Sequence, residues 1–288
     1  MSEAAKSAIM ALKNLPTMAL QAVLSLPGKR FYQWASRSID RALWHNPEFP
    51  TPHVATVDLG GLAVKFYAPT QRAHSRAVRT RTKEPITTEW LDRIGPRDVL
   101  WDVGANVGVY TIYGAMKRGC RVVAFEPAAA NYWTLNRNIE INRLDDRVVA
   151  FCIAVARSTG FDRLHMPATF AGASGGNYGT AIDHRGDGFQ AILRQGAIAY
   201  CIDDLVKTLL FPTYIKIDVD GIETDILAGG RNTLADARVR SVNVELNPDR
   251  KELFSQAVEI MRSVGFVLVD DAQPLGEGAR NFIFDRAP

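Results

Sequence analysis

The sequence predicts a doubly wound α/β domain on a mostly parallel sheet of about seven strands, preceded by a small helical and hairpin extension. Three observations carry this. Short apolar runs alternate with segments of helical spacing from Val99 onward, the pattern of βαβ units. A glycine-bearing bend joins the first such run to the helix that follows it. The composition, 47% hydrophobic and 23% charged over 288 residues, is that of an ordinary globular chain, which excludes global disorder, collagen and coiled coil.

Taken in order, residues 1–50 form a helical extension. Apolar residues recur at helical spacing in three short runs, parted near Pro16 and at Pro27-Gly28. Met10, Leu12, Leu20, Leu24, Phe31 and Trp34 stand beside Lys29, Arg30 and Arg37. Such a face suits packing on the main domain or on a second subunit, and a peripheral membrane contact is left open. Residues 51–95 hold a hairpin around Gly60-Gly61 and then a basic stretch, Arg72, His74, Arg76, Arg79, Arg81 and Lys83. That stretch reads as a solvated loop, or as a basic lid that steers a charged substrate. Up to Gly95 there are 13 basic and 7 acidic residues, against 21 and 24 in the remainder, so an acidic body carries a basic N-terminal part.

Residues 96–288 form the main domain. Strands are expected at Val99–Val103, Val122–Phe125, Val148–Ile153, Tyr214–Val219, Ser241–Leu246 and Phe266–Val269, with Asn281–Phe284 closing the sheet as an edge strand. Helices are expected at Tyr110–Met116, Tyr132–Ile141, Glu223–Leu227 and Glu252–Val264. The glycine-rich stretch Ala171–Thr180 is a connector or a lid. Cys120, Cys152 and Cys201 have neither disulfide nor zinc spacing and read as buried apolar fillers. No run approaches the roughly 18 apolar residues of a membrane span. Lys13, Asn14 and Pro16 break the apolar start, which argues against a secretory segment and for a cytoplasmic protein. A net charge of +3 is far from that of a dedicated nucleic-acid binder, and no aromatic stacking motif interleaves with the basic stretch.

The chemistry concentrates at Asp102-Val103-Gly104-Ala105-Asn106-Val107-Gly108, between strand and helix, with Glu126 ending the next strand. An acid in that second position can accept hydrogen bonds from both ribose hydroxyls of an adenosine cofactor. Charge then selects the cofactor. Asp102 would stand unfavourably near the pyrophosphate of a dinucleotide, and the GxxxG spacing lacks the GxGxxG fingerprint. S-adenosylmethionine brings an ammonium and a sulfonium instead, and the helix N-terminus offers N–H groups to its carboxylate. No GxxxxGK[ST] motif is present, which disfavours a P-loop nucleotidase.

The sequence here resembles the FkbM-type family of class I S-adenosylmethionine-dependent methyltransferases, whose fold is Rossmann-like. The matching segments are Asp102 through Thr111, Phe125-Glu126-Pro127, Cys201 through Leu205, and Lys216-Ile217-Asp218-Val219-Asp220-Gly221-Ile222-Glu223 leading into Leu227-Ala228-Gly229. Lys83-Glu84-Pro85-Ile86-Thr87 also looks like a family segment. Asp220 departs from the usual Glu, and Ile86 stands where an acid fits better. The resemblance covers about Lys83 to Phe284 and leaves residues 1–50 unmatched. It implies that Asp102, Gly104, Ala105, Asn106 and Gly108 line the methionine end of the cofactor and that Thr111 caps the turn. Glu126, with Pro127 beside it, would hold the ribose, and Ala154 would face the adenine.

Methyl transfer to a hydroxyl requires alignment, exclusion of water and removal of one proton. Asp218 and Glu245 should end neighbouring strands at the edge that carries the glycine bend, and Lys216 shares the face of Asp218 and Asp220 if the strand stays extended. Asp218, Lys216 and Glu245 are therefore the candidate catalytic set. A metal-free site is favoured over a divalent ion held by Asp218, Asp220, Glu223 and Glu245, because Lys216 neutralises part of that cluster. His165 and His184 are possible contacts to the acceptor. The expected activity is O-methylation of a sugar, glycolipid or polyketide-like metabolite, with a small-molecule or glycan acceptor, no nucleic-acid partner and a homo-oligomer left open. Two other classes compete: a non-catalytic binding protein that retains the fold, and a nucleotide-dependent oxidoreductase.

Overall fold

The computed structural model describes residues 54–269 and 278–287. The helical runs expected in residues 1–50, with their membrane or subunit contact, lie outside the described residues. The chain divides into two compact units, and the second, His53–Pro288, holds everything described.

β1 (Val54–Asp58) and β2 (Ala63–Tyr67) form an antiparallel hairpin. Three helices follow where the basic stretch suggested a solvated loop: α1 (Gln71–Val78), α2 (Thr80–Lys83) and α3 (Pro85–Leu91). The Thr70 hydroxyl caps α1 by accepting the Ala73 amide (3.1 Å). Ala73 and Ala77, one turn apart, are its buried face. Alanines add too little hydropathy beside so many arginines to mark that face in the sequence.

The main sheet begins with β3 (Val99–Val103), α4 (Val109–Tyr113) continued by a π-helical turn at Gly114–Arg118, β4 (Arg121–Phe125), α5 (Ala129–Ile141) and β5 (Val148–Phe151). A second sheet then intervenes, formed by β6 (Ala154–Val155), β7 (Gly160–Met166), β8 (Asn177–Tyr178) and β9 (Leu193–Tyr200). The main sheet resumes after α6 (Ile202–Leu205) with β10 (Tyr214–Ile217), α7 (Glu223–Ala228), α8 (Arg231–Ala235), β11 (Ser241–Leu246), α9 (Lys251–Ser263), β12 (Phe266–Leu268) and β13 (Arg280–Arg286).

Seven strands lie in the order β12-β13-β11-β10-β3-β4-β5, all parallel except β13. The doubly wound α/β sheet is therefore as the sequence predicted, with one correction. Asn281–Phe284 is not an edge: β13 runs antiparallel between β11 and β12, and β12 is the edge. Phe282 and Phe284 enter the core on one face and Ile283 the core on the other, so this strand is covered on both sides. β3 is likewise buried at all five residues. On one face pack Leu100, Ala124 and Tyr214 with Trp90 and Tyr113. The opposite core holds Trp101, Phe125, Ile217 and Val244. β3 and β10 are adjacent but far apart in sequence, and the chain winds outward from them in both directions. Their C-terminal ends form the switch point where open α/β sheets bind ligands.

The second sheet was not foreseen, because in β7 Phe161, Asp162 and Arg163 are all exposed and only Leu164 and Met166 face inward. Its inward alternation is too short to stand out. Of the three cysteines only Cys120 is a buried filler; Cys152 is exposed and Cys201 half-buried, each just past the end of a strand. Among the described residues no helix is long and apolar enough to cross a membrane.

Candidate functional site

The bend after β3 is built by close approach. Gly104 has φ +80°, and a Cβ there would run into the Asp218 carbonyl at the end of β10. The Gly104 and Ala105 amides both donate to the Phe125 carbonyl (3.0 Å each), which ties the bend to β4. Asn106, also at positive φ, donates its amide to Glu126 Oε2 (2.8 Å) and its Nδ2 to the Ala173 carbonyl (2.7 Å). Gly108 sits at the N-cap of α4, its amide on the Ala105 carbonyl (2.8 Å).

Asp102 lies beneath this bend, 1% exposed. Its Oδ2 accepts the Thr111 hydroxyl (2.6 Å), and its Oδ1 has no hydrogen-bond partner among the described residues. Burial raises its pKa, with Lys216 opposing. Glu126, also buried, accepts the amides of Asn106 and Ala128 (2.8 Å each), one on each oxygen. Burial pushes its carboxyl up to about 7, against those hydrogen bonds. Asn131 Nδ2 also reaches Oε1 (3.5 Å), so Oε2 keeps a lone pair for a further donor. The Pro127 carbonyl accepts Gln195 Nε2 (2.7 Å), and Ala154 opens β6.

The glycine-rich segment roofs the bend. Ala171 and Gly172 are held through their carbonyls by the Thr70 hydroxyl (2.5 Å) and Arg76 Nε (2.8 Å). Asn131, on α5, accepts the Gly172 amide (2.8 Å) and donates to the Ala173 carbonyl (3.2 Å). Gly175 donates its amide to Asp220 Oδ2 (2.6 Å), and Asn177 its Nδ2 to the Asp220 carbonyl (2.9 Å). Asp220 has φ +70°, so the chain leaves the strand after Ile217, and the expected extended face from Lys216 to Asp220 is not formed. Asn131 and Arg76 were not singled out for this role, since nothing local in the sequence ties them to the glycine-rich segment.

Bend and roof enclose a cleft of about 740 Å³, part of it open to solvent. Of the predicted site residues, Gly104, Asn106, Glu126, Pro127, Ala154 and Asp218 line it. Asp102, Ala105, Gly108, Thr111, Lys216 and Glu245 are not among its lining residues. Phe125, Ile153, Leu164, Met166 and Phe170 give apolar walls. Among the described residues, the lining contains three carboxylates, Glu126, Asp218 and Asp220, and no lysine, arginine or histidine.

Beside the cleft, Asp102, Lys216 and Asn243 stand in register across β3, β10 and β11. Lys216 is 1% exposed, with Nζ 2.8 Å from Asp218 Oδ2 and 5.1 Å above the Tyr110 ring. Burial works against its charge, yet Asp218, Asp102 and Glu84 together hold its pKa above the usual lysine range. Burial likewise opposes ionisation of Asp218, but Lys216 holds its carboxyl at about 2. Glu84 accepts hydrogen bonds from the Tyr110 hydroxyl (2.9 Å) and Asn281 Nδ2 (3.2 Å). Glu245 lies in the field of Asp218, which with burial lifts its pKa well above the usual range. Glu223 accepts the Gly221 amide (2.9 Å), and burial lifts it to about 7. Among the described residues His184 makes no ring hydrogen bond, and its carbonyl accepts Asn247 Nδ2 (3.0 Å). His165, on β7, has a buried Nδ1 without a partner among the described residues. Among the described residues no group of three or more His, Cys, Asp or Glu is arranged to hold a metal ion.

Comparison with known proteins sets this geometry in context. The model of the methyltransferase FkbM domain matches residues 102–268. The chain is 24% identical over 208 residues to the hexuronic acid methyltransferase AglP of Haloferax volcanii, covering 70% of this chain and 78% of that protein. It is 26% identical over 211 residues to the 31-O-demethyl-FK506 methyltransferase FkbM of Streptomyces tacrolimicus, covering 64% and 78%. A solved structure of methyltransferase FkbM from Methylobacillus flagellatus aligns with a TM-score of 0.44 at 18% identity, over 66% of this chain and 44% of that one. The chain thus spans less than half the length of that solved protein.

Proposed function

This chain belongs to the FkbM methyltransferase family, and from that premise we propose that it moves a methyl group from S-adenosylmethionine to a hydroxyl of a sugar, glycolipid or polyketide-like acceptor. The observation that carries the reading is the charge of the cleft: among the described residues, its lining has three carboxylates and no basic side chain, and an oxygen of Asp102 beneath the bend has no partner. Such a lining suits a ligand that bears an ammonium and a sulfonium, and it opposes a diphosphate. The apolar walls suit an adenine. When bound, the cofactor supplies a methyl carbon already activated for displacement.

The chain's own residues then have three tasks. Glu126 accepts the ribose hydroxyls, and the roof from Ala171 to Asn177 excludes water. Asp218, kept ionised by Lys216, orients the acceptor. Glu245, with its raised pKa, is better matched in its ionised form to removing the hydroxyl proton of the acceptor. A sugar and a polyketide are the acceptor types in the names of the two relatives, which supports a hydroxylated metabolite.

Calorimetric titration with S-adenosylhomocysteine tests the cofactor site. Specific binding is expected, weakened strongly by Asp102→Ala or Glu126→Ala; unchanged affinity in both variants defeats the assignment. Turnover of an acceptor panel, unaffected by chelator, tests the rest. Cofactor affinity with no turnover on any acceptor favours a binding protein, and tight binding of reduced nicotinamide cofactor favours an oxidoreductase.

A further inference from the structure

The turn from Asp218 to Glu223 supplies walls to two depressions. Val219, Asp220 and Ile222 face the cleft already described. Gly221 and Glu223 face a second one of about 340 Å³, part of it open to solvent, lined also by His184, Glu245, Asn247, Arg250 and Phe254. Glu245 lines the second depression only, and its carboxyl feels the charge of Asp218, which lines the first.

Arg250, just before α9, differs from the other arginines packed into this fold. The Arg286 guanidinium donates to the carbonyls of Val264, Leu234, Asp236 and Val239, and Arg93 is paired with Asp285. The Arg250 guanidinium makes no hydrogen bond or ion pair among the described residues. It is nevertheless half-buried and backed by a turn: a Cβ at Gly186 would lie 3.4 Å from its Nε. The imidazole of His184 and the carboxyl of Glu245 also lack hydrogen-bond partners among the described residues. Three polar groups of different chemistry thus face one concavity with their bonding capacity unused. A guanidinium held in that way is a fork for a carboxylate or phosphate.

We propose that this second depression is the acceptor subsite, in which Arg250 binds an anionic group of the acceptor, a carboxylate or a phosphate, while Glu245 takes the hydroxyl to be methylated. The proposal rests on the methyl-transfer reading above. The nearby carboxyls do not cancel it: Glu223 is lifted to about 7 by burial, and Glu245 is raised chiefly by Asp218, so both carry less negative charge near neutrality than ordinary glutamates.

The test is calorimetric titration of the full chain with D-glucuronate, D-glucose 6-phosphate and D-glucose, each with and without S-adenosylhomocysteine. At least one anionic sugar is expected to bind about tenfold or more tightly than glucose, as a charge-assisted hydrogen bond predicts. The better of the two tells carboxylate from phosphate. Arg250→Met should remove that preference, leaving S-adenosylhomocysteine affinity within about twofold, and Arg250→Lys should restore part of it. Equal binding of glucose and both anions, no binding of either anion, or an Arg250→Met variant that keeps the preference overturns the proposal. Failure of S-adenosylhomocysteine to bind counts against the methyl-transfer reading, whereas the sugar arms judge Arg250 independently of it.

Discussion

Lys216 is the residue on which the electrostatics of the site turn. Its ammonium sits among Asp218, Asp102 and Glu84, contributed by three separate parts of the chain, with almost no solvent to substitute for it. Lys216→Met should therefore leave buried carboxylates uncompensated and lower stability by about 3–5 kcal/mol in denaturant titration. Asp218→Asn is a gentler change. It should lower the methylation rate with cofactor affinity within a few-fold, and full activity would remove Asp218 from the reaction. Glu126 gives a prediction in pH. Its carboxyl, lifted to about 7, is protonated below that value and then a poorer acceptor of ribose hydroxyls. S-adenosylhomocysteine affinity should rise with pH up to about 7, by at most about tenfold per unit. Glu126→Gln should bind weakly and without that slope.

At the scale of elements, two close approaches define the cleft. The bend after β3 is pressed against the end of β10, so Gly104→Ala must part the two strand ends or distort a positive-φ turn. Its expected signature is a lowered melting temperature together with lost S-adenosylhomocysteine binding. The roof meets α1 just as closely: a Cβ at Gly172, where φ is +84°, would lie 2.7 Å from the Ala73 amide nitrogen. Arg76→Ala removes the hydrogen bond to the Gly172 carbonyl without touching the cleft lining. It should speed cofactor release in stopped-flow measurements while leaving the circular dichroism spectrum unchanged; an unaltered release rate would show that the roof does not depend on Arg76.

For the whole molecule, raised and lowered carboxyls act in opposite directions on stability. Glu126 and Glu223 have folded pKa values near 7, above the unfolded value of about 4.3, so the folded state holds more protons between those limits. Their contribution is present in acid and is lost as pH rises toward 7. Asp218, held at about 2, contributes above its unfolded value of about 3.9 and loses that contribution as pH falls through 2. Denaturant midpoints of the ligand-free protein should accordingly drop between pH 5 and 7 more in the wild type than in a Glu126→Gln, Glu223→Gln double variant. Much of this architecture is legible without coordinates. The strand, bend and helix around Asp102, the acid ending β4 and the alternation of the main sheet are local patterns, set by residues close in the chain, and periodicity and turn chemistry report such neighbours directly. The helix bearing Arg76 and the strand β7 escaped notice because their buried residues are few or small. Which distant residues meet was decided by packing alone. The roof reaches the bend through Asn131 and Asp220, Lys216 meets Asp102 and Glu84 beside its near neighbour Asp218, and Arg250 lines one depression with His184. Those encounters depend on how two sheets and their helices settle in three dimensions, for which one-dimensional spacing holds no record.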